Sequence, residues 1–267
     1  MPKDIRVLIV EDDPYSRDLM SLLLTRDWRT RVVGETDGKQ RLYTFIQQNN
    51  QKVDVVILDT EIPMEPELPI ELAALSQNMA EPPVILYTAT VANMEVFRHL
   101  YQKSFGGYVL KGEILYALAS AVAMAKTGVC VITPGVLKVL SRGMLPERTV
   151  LLDGRKGITN LTPRESELTR LGIIFNLAIR DMADELVLSQ GWVSEIVSTV
   201  YKKLGLREIL SGEVSLENYF SNELILYHCR EIKKRSKTAQ AGKQLRKAPW
   251  MSTLAFHLLT IPWVEEI

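Results

Sequence analysis

Short apolar runs alternate with amphipathic segments over the first half of the chain. Five of the runs have the aliphatic, β-branched content typical of strands, at 5–10, 32–33, 53–58, 84–87 and 108–110. Helical periodicity follows from residue 14 and recurs at about 39–50, 68–79, 92–103 and 113–126. Strands that alternate with helices form right-handed crossovers. The pattern therefore predicts an α/β fold with a doubly wound, five-stranded parallel sheet.

Polar side chains stand directly after four of these strands. They are Glu11, Asp12, Asp13, Asp59, Thr88 and Lys111. Ligands of doubly wound sheets bind beyond the carboxyl ends of the strands, where we expect these side chains to converge. Clustered carboxylates repel one another unless a cation joins them, and hard oxygen ligands suit Mg²⁺. Because a carboxylate among cations and hydrogen-bond donors can attack a phosphoryl group, this edge is the candidate site.

The same residues lie within motifs that occur in order along the chain, VLIVEDDP, VVILDTEIP, YTA and GYVLK. In this order the motifs resemble the receiver domain of two-component response regulators, over about residues 4–126. The resemblance implies that Asp59 accepts a phosphoryl group with the help of Lys111 and Thr88. It also implies that Thr88 and Tyr108 form the switch that reports phosphorylation.

The resemblance further implies a metal site. The ligands of Mg²⁺ would be the side chains of Glu11, Asp12 and Asp59 and the backbone carbonyl of Glu61. One departure from the family lies beside this site. The loop at 62–69 has three prolines and no glycine, where the family usually has a glycine. Proline restricts the backbone, so we expect a stiffer loop with the chemistry retained.

The second half of the chain opens with a segment rich in glycine and proline. Residues 127–160 are therefore predicted to be a linker, with a short helix as the alternative for 136–140, which leaves the receiver domain at 1–126. Three helices are predicted after it. The first begins at Thr162 and Glu165, which are spaced as a capping box, and the others lie at about 179–186 and 189–204.

The motifs LTPRE, MADEL, LS, VS and KKLGL resemble the LuxR/FixJ-type helix-turn-helix domain over residues 161–206. The resemblance implies an all-α domain whose helix from Ser189 enters the major groove of DNA. The residues that would contact DNA are Gln190, Trp192, Ser194, Ser198, Lys202 and Lys203.

The charges of this block weaken the expectation of DNA binding. The family usually has Lys-Thr at 191–192 and Lys-Asn-His at 194–196, whereas this chain has Gly-Trp and Ser-Glu-Ile. Residues 161–206 carry five bases and six acids, although phosphate neutralisation dominates affinity for DNA. The alternative is a helix-turn-helix that has lost DNA binding and makes protein contacts, for which Trp192 is a suitable anchor.

The family pattern ends near residue 206 and leaves a C-terminal extension at 207–267, which is predicted to be helical. Its basic arm, residues 229–247, carries eight bases and one acid. The arm is either a solvated surface or a source of phosphate contacts to DNA or RNA. The apolar tail behind it is too short to span a bilayer and is expected to pack on the chain or on a partner, with contact at a membrane surface as the alternative.

Composition adds the cellular setting. The chain has 32 lysines and arginines and 32 aspartates and glutamates, a balance that conceals an acidic receiver and a basic arm. No apolar run is long enough for a membrane span, and the N-terminus lacks the apolar core of a signal peptide, so a cytoplasmic protein is expected. We predict a response regulator, not a metabolic enzyme. A sensor histidine kinase would phosphorylate it, and it would form a homodimer through the receiver or the C-terminal region and control transcription.

Overall fold

The structure is a computed structural model. It describes residues 4–48, 53–62, 67–68, 71–72, 82–100, 104–140, 144–156, 161–211, 213–220, 225–230 and 249–267. The chain divides into two compact units, a larger one with residues 4–25, 29–156 and 262–267 and a smaller one with residues 26–28 and 157–261. Most of the basic arm and most of the predicted helix at 68–79 lie outside the described residues.

The larger unit confirms the predicted alternation of strands and helices. Its strands are β1 (Ile5–Val10), β2 (Thr30–Thr36), β3 (Val55–Asp59), β4 (Val84–Ala89), β5 (Phe105–Leu110), β6 (Cys130–Ile132), β7 (Thr149–Asp153) and β8 (Trp263–Glu266). Its helices are α1 (Pro14–Arg26, whose last residue groups with the smaller unit), α2 (Lys39–Gln48), α3 (Met94–Leu100), α4 (Lys111–Ile114), α5 (Leu118–Lys126) and α6 (Pro134–Val139), with a 3₁₀ turn at Leu115–Ala117.

Local chemistry explains where these elements begin. Pro14 occupies the first position of α1, where its missing N–H costs nothing, and the Asp13 carboxylate accepts a hydrogen bond from the Ser16 N–H at 2.7 Å. Every residue of β3 is buried, as a central strand of a parallel sheet covered on both faces requires. The core is formed by aliphatic and aromatic side chains of the strands and of the helices that pack against them.

The sheet has eight strands instead of the predicted five, in the order β2-β1-β3-β4-β5-β6-β7-β8. Neighbouring strands are parallel except for the last pair, β7 and β8, which is antiparallel. The linker predicted at 127–160 is therefore wrong for 130–132 and 149–153, which form β6 and β7, whereas the short helix expected within it is present as α6. The prediction of a helical extension is likewise wrong at its end, where β8 completes the sheet. Glycines and prolines around β6 and β7 concealed two short apolar runs whose residues are all buried.

Gly107 allows the first of the additional strands to pair with β5. Its φ is +149°, and a Cβ at this position would lie 2.1 Å from the Val131 carbonyl oxygen. A side chain here would push β6 away from β5, because that distance is far inside van der Waals contact. The glycine is thus a requirement of the extended sheet.

The smaller unit is helical apart from its loops. Its elements are α7 (Pro163–Thr169), a π-helical turn (Arg170–Ile174), α8 (Ile179–Glu185), α9 (Gln190–Lys203), α10 (Leu206–Ser211), a 3₁₀ turn (Leu216–Asn218) and α11 (Pro249–Leu259). The predicted capping box is confirmed, since Thr162 and Glu165 each accept a hydrogen bond from the other's backbone N–H. The Ser189 hydroxyl caps α9 by accepting a hydrogen bond from the Trp192 N–H, and Gly205 follows the helix with a positive φ of 67°.

Two further sequence expectations concern membranes and thiols. Among the described residues, none of the helices combines the length and the apolar character that crossing a bilayer requires. Both cysteines are free and buried, and burial raises the pKa of Cys130 to about 11. They pack as small apolar side chains in the thiol form.

Asp54 precedes β3 and joins two basic side chains. Its carboxylate accepts hydrogen bonds from the backbone N–H and the guanidinium of Arg6, both at 3.0 Å, and lies 3.2 Å from the Lys126 ammonium. Burial alone would raise the pKa of Asp54, but these bonds outweigh it and lower the pKa to about 2. The ionised carboxylate therefore stabilises the folded state.

We expect Asp54→Asn to lower the free energy of unfolding by about 1–2 kcal/mol near neutral pH, measured by urea denaturation. Because the folded pKa is depressed, this contribution is present above about pH 4 and is lost as the pH falls toward 2. Asp37→Asn is the control, since Asp37 pairs with Arg41 at a well-exposed position. Equal effects of the two variants would contradict the assignment.

Candidate functional site

Parallel pairing brings the predicted site residues to one edge of the sheet. Asp59 ends β3 and lies opposite Thr88 of β4, and Glu11 follows β1, which pairs with β3 up to its last residues. Lys111 begins α4 directly after β5. The expectation that these four side chains converge rests on strand ends alone, and the structure brings Glu11, Asp59 and Lys111 into direct contact.

Lys111 bridges two buried carboxylates. Its ammonium lies 3.0 Å from Asp59 Oδ2 and 2.8 Å from Glu11 Oε2. Glu11 is 1% exposed and Asp59 is 3% exposed. Burial raises the pKa of Glu11 to about 7, a rise that Lys111 opposes and the neighbouring Asp59 reinforces. Burial alone would lower the pKa of Lys111, but its bonds to both acids raise it, so the ammonium stays charged.

The carboxylates of Glu11, Asp12 and Asp59 form a set of hard oxygen donors. Ligand atoms from the three side chains lie within 4.8 Å of one another. Mg²⁺ coordinates carboxylates together with waters, and two of these acids are deeply buried with a single lysine between them. The donor set therefore fits Mg²⁺. The Asp59 Oδ1 atom also accepts a hydrogen bond from the Glu61 N–H at 3.1 Å.

The Glu61 side chain has a partner that the sequence did not indicate. Its carboxylate accepts hydrogen bonds from the backbone N–H groups of Thr90 at 2.7 Å and Val91 at 3.2 Å. Partial burial opposes ionisation, but these bonds lower the pKa of Glu61. The loop after Asp59 is thus tied to the loop after β4. The predicted role of the Glu61 carbonyl as a metal ligand stays a prediction.

Thr88 and Tyr108, the predicted switch pair, are both buried. Within the described part of the chain, the Thr88 hydroxyl has no hydrogen-bond partner. A fully buried hydroxyl without a partner is costly, and an oxygen of a group attached to Asp59 would satisfy it. The Tyr108 hydroxyl accepts from the Asn93 N–H at 3.3 Å and lies 3.5 Å from the Val91 carbonyl oxygen, and burial raises its pKa.

The residues predicted to contact DNA lie along α9. Gln190, Ser198, Lys202 and Lys203 are exposed, Ser194 is half-buried, and Trp192 is 41% exposed. The opposite face of the helix packs in the core of the smaller unit. Of the two lysines, Lys203 is held at 2.7 Å by Glu165 Oε2 of the capping box.

Comparison with known proteins agrees with the geometry of the larger unit. Residues 7–123 match the family model described as response regulator receiver domain, and this part of the chain is such a domain. The model covers less than half of the chain.

Two curated relatives match most of the chain. The chain is 26% identical over 204 residues to the uncharacterized transcriptional regulatory protein YvfU of Bacillus subtilis, an alignment that covers 76% of this chain and 92% of that protein. It is 23% identical over 209 residues to the fimbriae Z protein of Salmonella typhimurium, covering 78% and 94%. Among solved structures, the RcsB response regulator of Salmonella typhimurium matches with a TM-score of 0.46 and 20% identity, covering 76% of this chain and 93% of that one.

We expect Asp12→Asn to weaken divalent-cation binding by at least about tenfold, because it removes a charged oxygen ligand. The measurement is titration of the full chain with Mn²⁺, followed by electron paramagnetic resonance and by competition with Mg²⁺. Asp18→Asn, an exposed position on α1, is the matched control. Unchanged affinity in Asp12→Asn would rule Asp12 out as a ligand.

Proposed function

We propose that this protein is a response regulator whose Asp59 is phosphorylated by a sensor histidine kinase and whose C-terminal helix-turn-helix controls transcription. The observation that carries the proposal is the contact of the Lys111 ammonium with Asp59 and Glu11 at the carboxyl edge of the sheet. The receiver family of residues 7–123 supports the same chemistry.

The proposed reaction transfers a phosphoryl group to an Asp59 oxygen. The new P–O bond forms as the bond from phosphorus to the kinase's histidine nitrogen breaks, and that nitrogen keeps the electron pair. Lys111 stabilises charge on the phosphoryl oxygens, and the Glu61 N–H holds the other Asp59 oxygen in place. Bound Mg²⁺, held by Glu11, Asp12, Asp59 and the carbonyl of Glu61, would neutralise the acidic cluster and the incoming group.

Thr88 and Tyr108 would carry the change away from Asp59. A phosphoryl oxygen offers the Thr88 hydroxyl the partner that the described structure lacks. Movement of Thr88 would shift the loop after β4, whose residues Val91 and Asn93 contact the Tyr108 hydroxyl. A charge change at one residue would thus bias a two-state element.

The proposed effector is the helix-turn-helix at 161–206, with α9 as the helix that enters the major groove. The name of the Bacillus subtilis relative supports a role in transcription. The candidate contacts, set out above, are polar or basic apart from Trp192, and all but the half-buried Ser194 are exposed on α9. The basic arm at 229–247 would add phosphate contacts. We further propose a cytoplasmic protein that acts as a homodimer.

A second candidate is regulation through protein contacts, without DNA. Two observations favour it. Lys203 is engaged by Glu165, which leaves Lys202 as the remaining lysine of α9, and Trp192 exposes two-fifths of its surface beside the Arg164 guanidinium, 5.7 Å from the ring centre. Aromatic side chains with such exposure are common anchors of protein interfaces.

We expect Asp59→Asn to abolish incorporation of ³²P from acetyl phosphate, because the attacking carboxylate oxygen is replaced by an amide that is not nucleophilic. Retention of label on the denatured protein measures the result. Asp18→Asn should incorporate label as the unmodified chain does. Continued labelling of Asp59→Asn would overturn the proposal for this residue.

We expect the phosphorylated full chain to bind duplex DNA selected from a random pool, with affinity that falls steeply with salt. Lys202→Ala should lower the salt slope by about one, if Lys202 neutralises one phosphate. Fluorescence anisotropy at several salt concentrations measures both effects, and Lys138→Ala in α6 is the control. No binding at low salt, with or without phosphorylation, would favour protein contacts instead.

A further inference from the structure

We propose that Glu113 is a positioning residue that links the phosphoacceptor site to strands β6 and β7. Phosphorylation of Asp59 would be transmitted through it to residues 149–156. The inference rests on the proposed phosphorylation, and it adds a structural path by which a change at Asp59 would affect β6 and β7.

Glu113 lies two residues after Lys111 in the four-residue helix α4 and makes three hydrogen bonds outside that helix. Its Oε2 atom accepts from the Gly135 N–H at 2.7 Å, and its Oε1 atom lies 3.0 Å from the Arg155 guanidinium. Its backbone carbonyl accepts from the Gly154 N–H at 3.0 Å. One residue therefore holds the start of α6 and the end of β7.

Arg155 extends this link to the last residue of β7. Its guanidinium donates to both oxygens of Asp153, at 3.0 and 3.2 Å, and Asp153 is 2% exposed. A separate bond supports the same junction, because the Leu110 N–H donates to the Thr133 hydroxyl at 3.0 Å. The residues around Lys111 are thus bonded to the residues that directly follow β6 and β7.

The packing at this junction leaves little room for independent movement. A Cβ at Gly154 would lie 2.1 Å from the Ile114 carbonyl oxygen, and one at Gly135 would lie 2.5 Å from a Leu110 methyl group. Leu115, which follows α4, has a φ of +41°, a strained value for a residue with a side chain. Because Leu115 separates α4 from α5, a displacement of Lys111 would move α4 as a short unit.

Phosphorylation changes what Lys111 can bind. In the described state its ammonium pairs with the Asp59 oxygen itself, and after transfer it would pair with a phosphoryl oxygen farther from β3. A shift of α4 carries Glu113 with it and acts on Gly135 and Arg155. Residue 156 is the last of the larger unit before the chain enters the smaller one, so the change reaches the end of the larger unit.

The test is hydrogen exchange of the full chain with Mg²⁺, with and without beryllofluoride, a mimic of the phosphoryl group. We expect exchange to slow in peptides covering 55–62, and also in those covering 130–139 and 149–156, because Lys111 bound to the mimic holds α4 more tightly. Asp59→Asn should show none of these changes.

Two substitutions test the Glu113–Arg155 pair without changing Asp59 or Lys111. Arg155→Gln and Glu113→Gln should each lose the slowing at 149–156 and keep it at 55–62, with half-saturation by beryllofluoride raised by no more than roughly fivefold. The double variant should behave as Arg155→Gln does, because Arg155→Gln already breaks the Glu113–Arg155 pair that Glu113→Gln removes. Arg6→Gln, which breaks another arginine–carboxylate pair of the same unit, should keep the full response.

The outcomes distinguish the inference from the proposed function. No response at 55–62 in the unmodified chain would contradict phosphorylation at Asp59. A response there without one at 149–156, or a response at 149–156 that survives in both variants, would overturn the role of Glu113. Thermal unfolding identifies any variant that fails to fold. Glu113→Gln serves as the milder variant, because its amide oxygen can still accept from Gly135.

Discussion

The rest of the larger unit depends on one ion cluster, the Lys111 ammonium between the carboxylates of Glu11 and Asp59. Two acids that are almost fully buried would repel each other and pay a large desolvation cost without this cation. The cluster holds only when β1, β3 and β5 are in parallel register, because each strand delivers one member. The stability of the fold and the chemistry of its edge are therefore set by the same alignment.

The convergence of Glu11, Asp59 and Lys111 could be predicted from the sequence because each of them directly follows a strand that its own apolar run reveals. An apolar run ends, and Asp59 or Lys111 stands at its end, so topology alone brings them together. The hydrogen bonds of the Glu61 carboxylate to the backbone at 90–91 could not be predicted, since they join two loops whose sequences have no periodic pattern. The pairing of β7 with β8 spans more than a hundred residues, and hydrophobic periodicity does not report partners at that distance.

The smaller unit shows how far sequence motifs and charge counts can predict the contacts of a folded domain. The Thr162 and Glu165 capping box is predictable because the three-residue spacing alone lets each side chain reach the other residue's backbone N–H. The same glutamate also engages Lys203, an effect of folding that no spacing rule contains. Charge counts along a segment therefore overstate the cations that a surface can offer. The binding capacity of α9 depends on which lysines the fold has already used.

The antiparallel pairing of β7 with β8 gives the chain an unusual connectivity. Asp153 lies opposite Trp263, so the two strands form a β-hairpin whose connection is residues 154–262. A hairpin of this register is ordinarily closed by a few residues. The helical part of the smaller unit is thus an insertion into a turn, with its entry and exit side by side. Because both ends of this connection lie at the same end of the β7–β8 pair, the register of the two strands does not set the length of the segment between them.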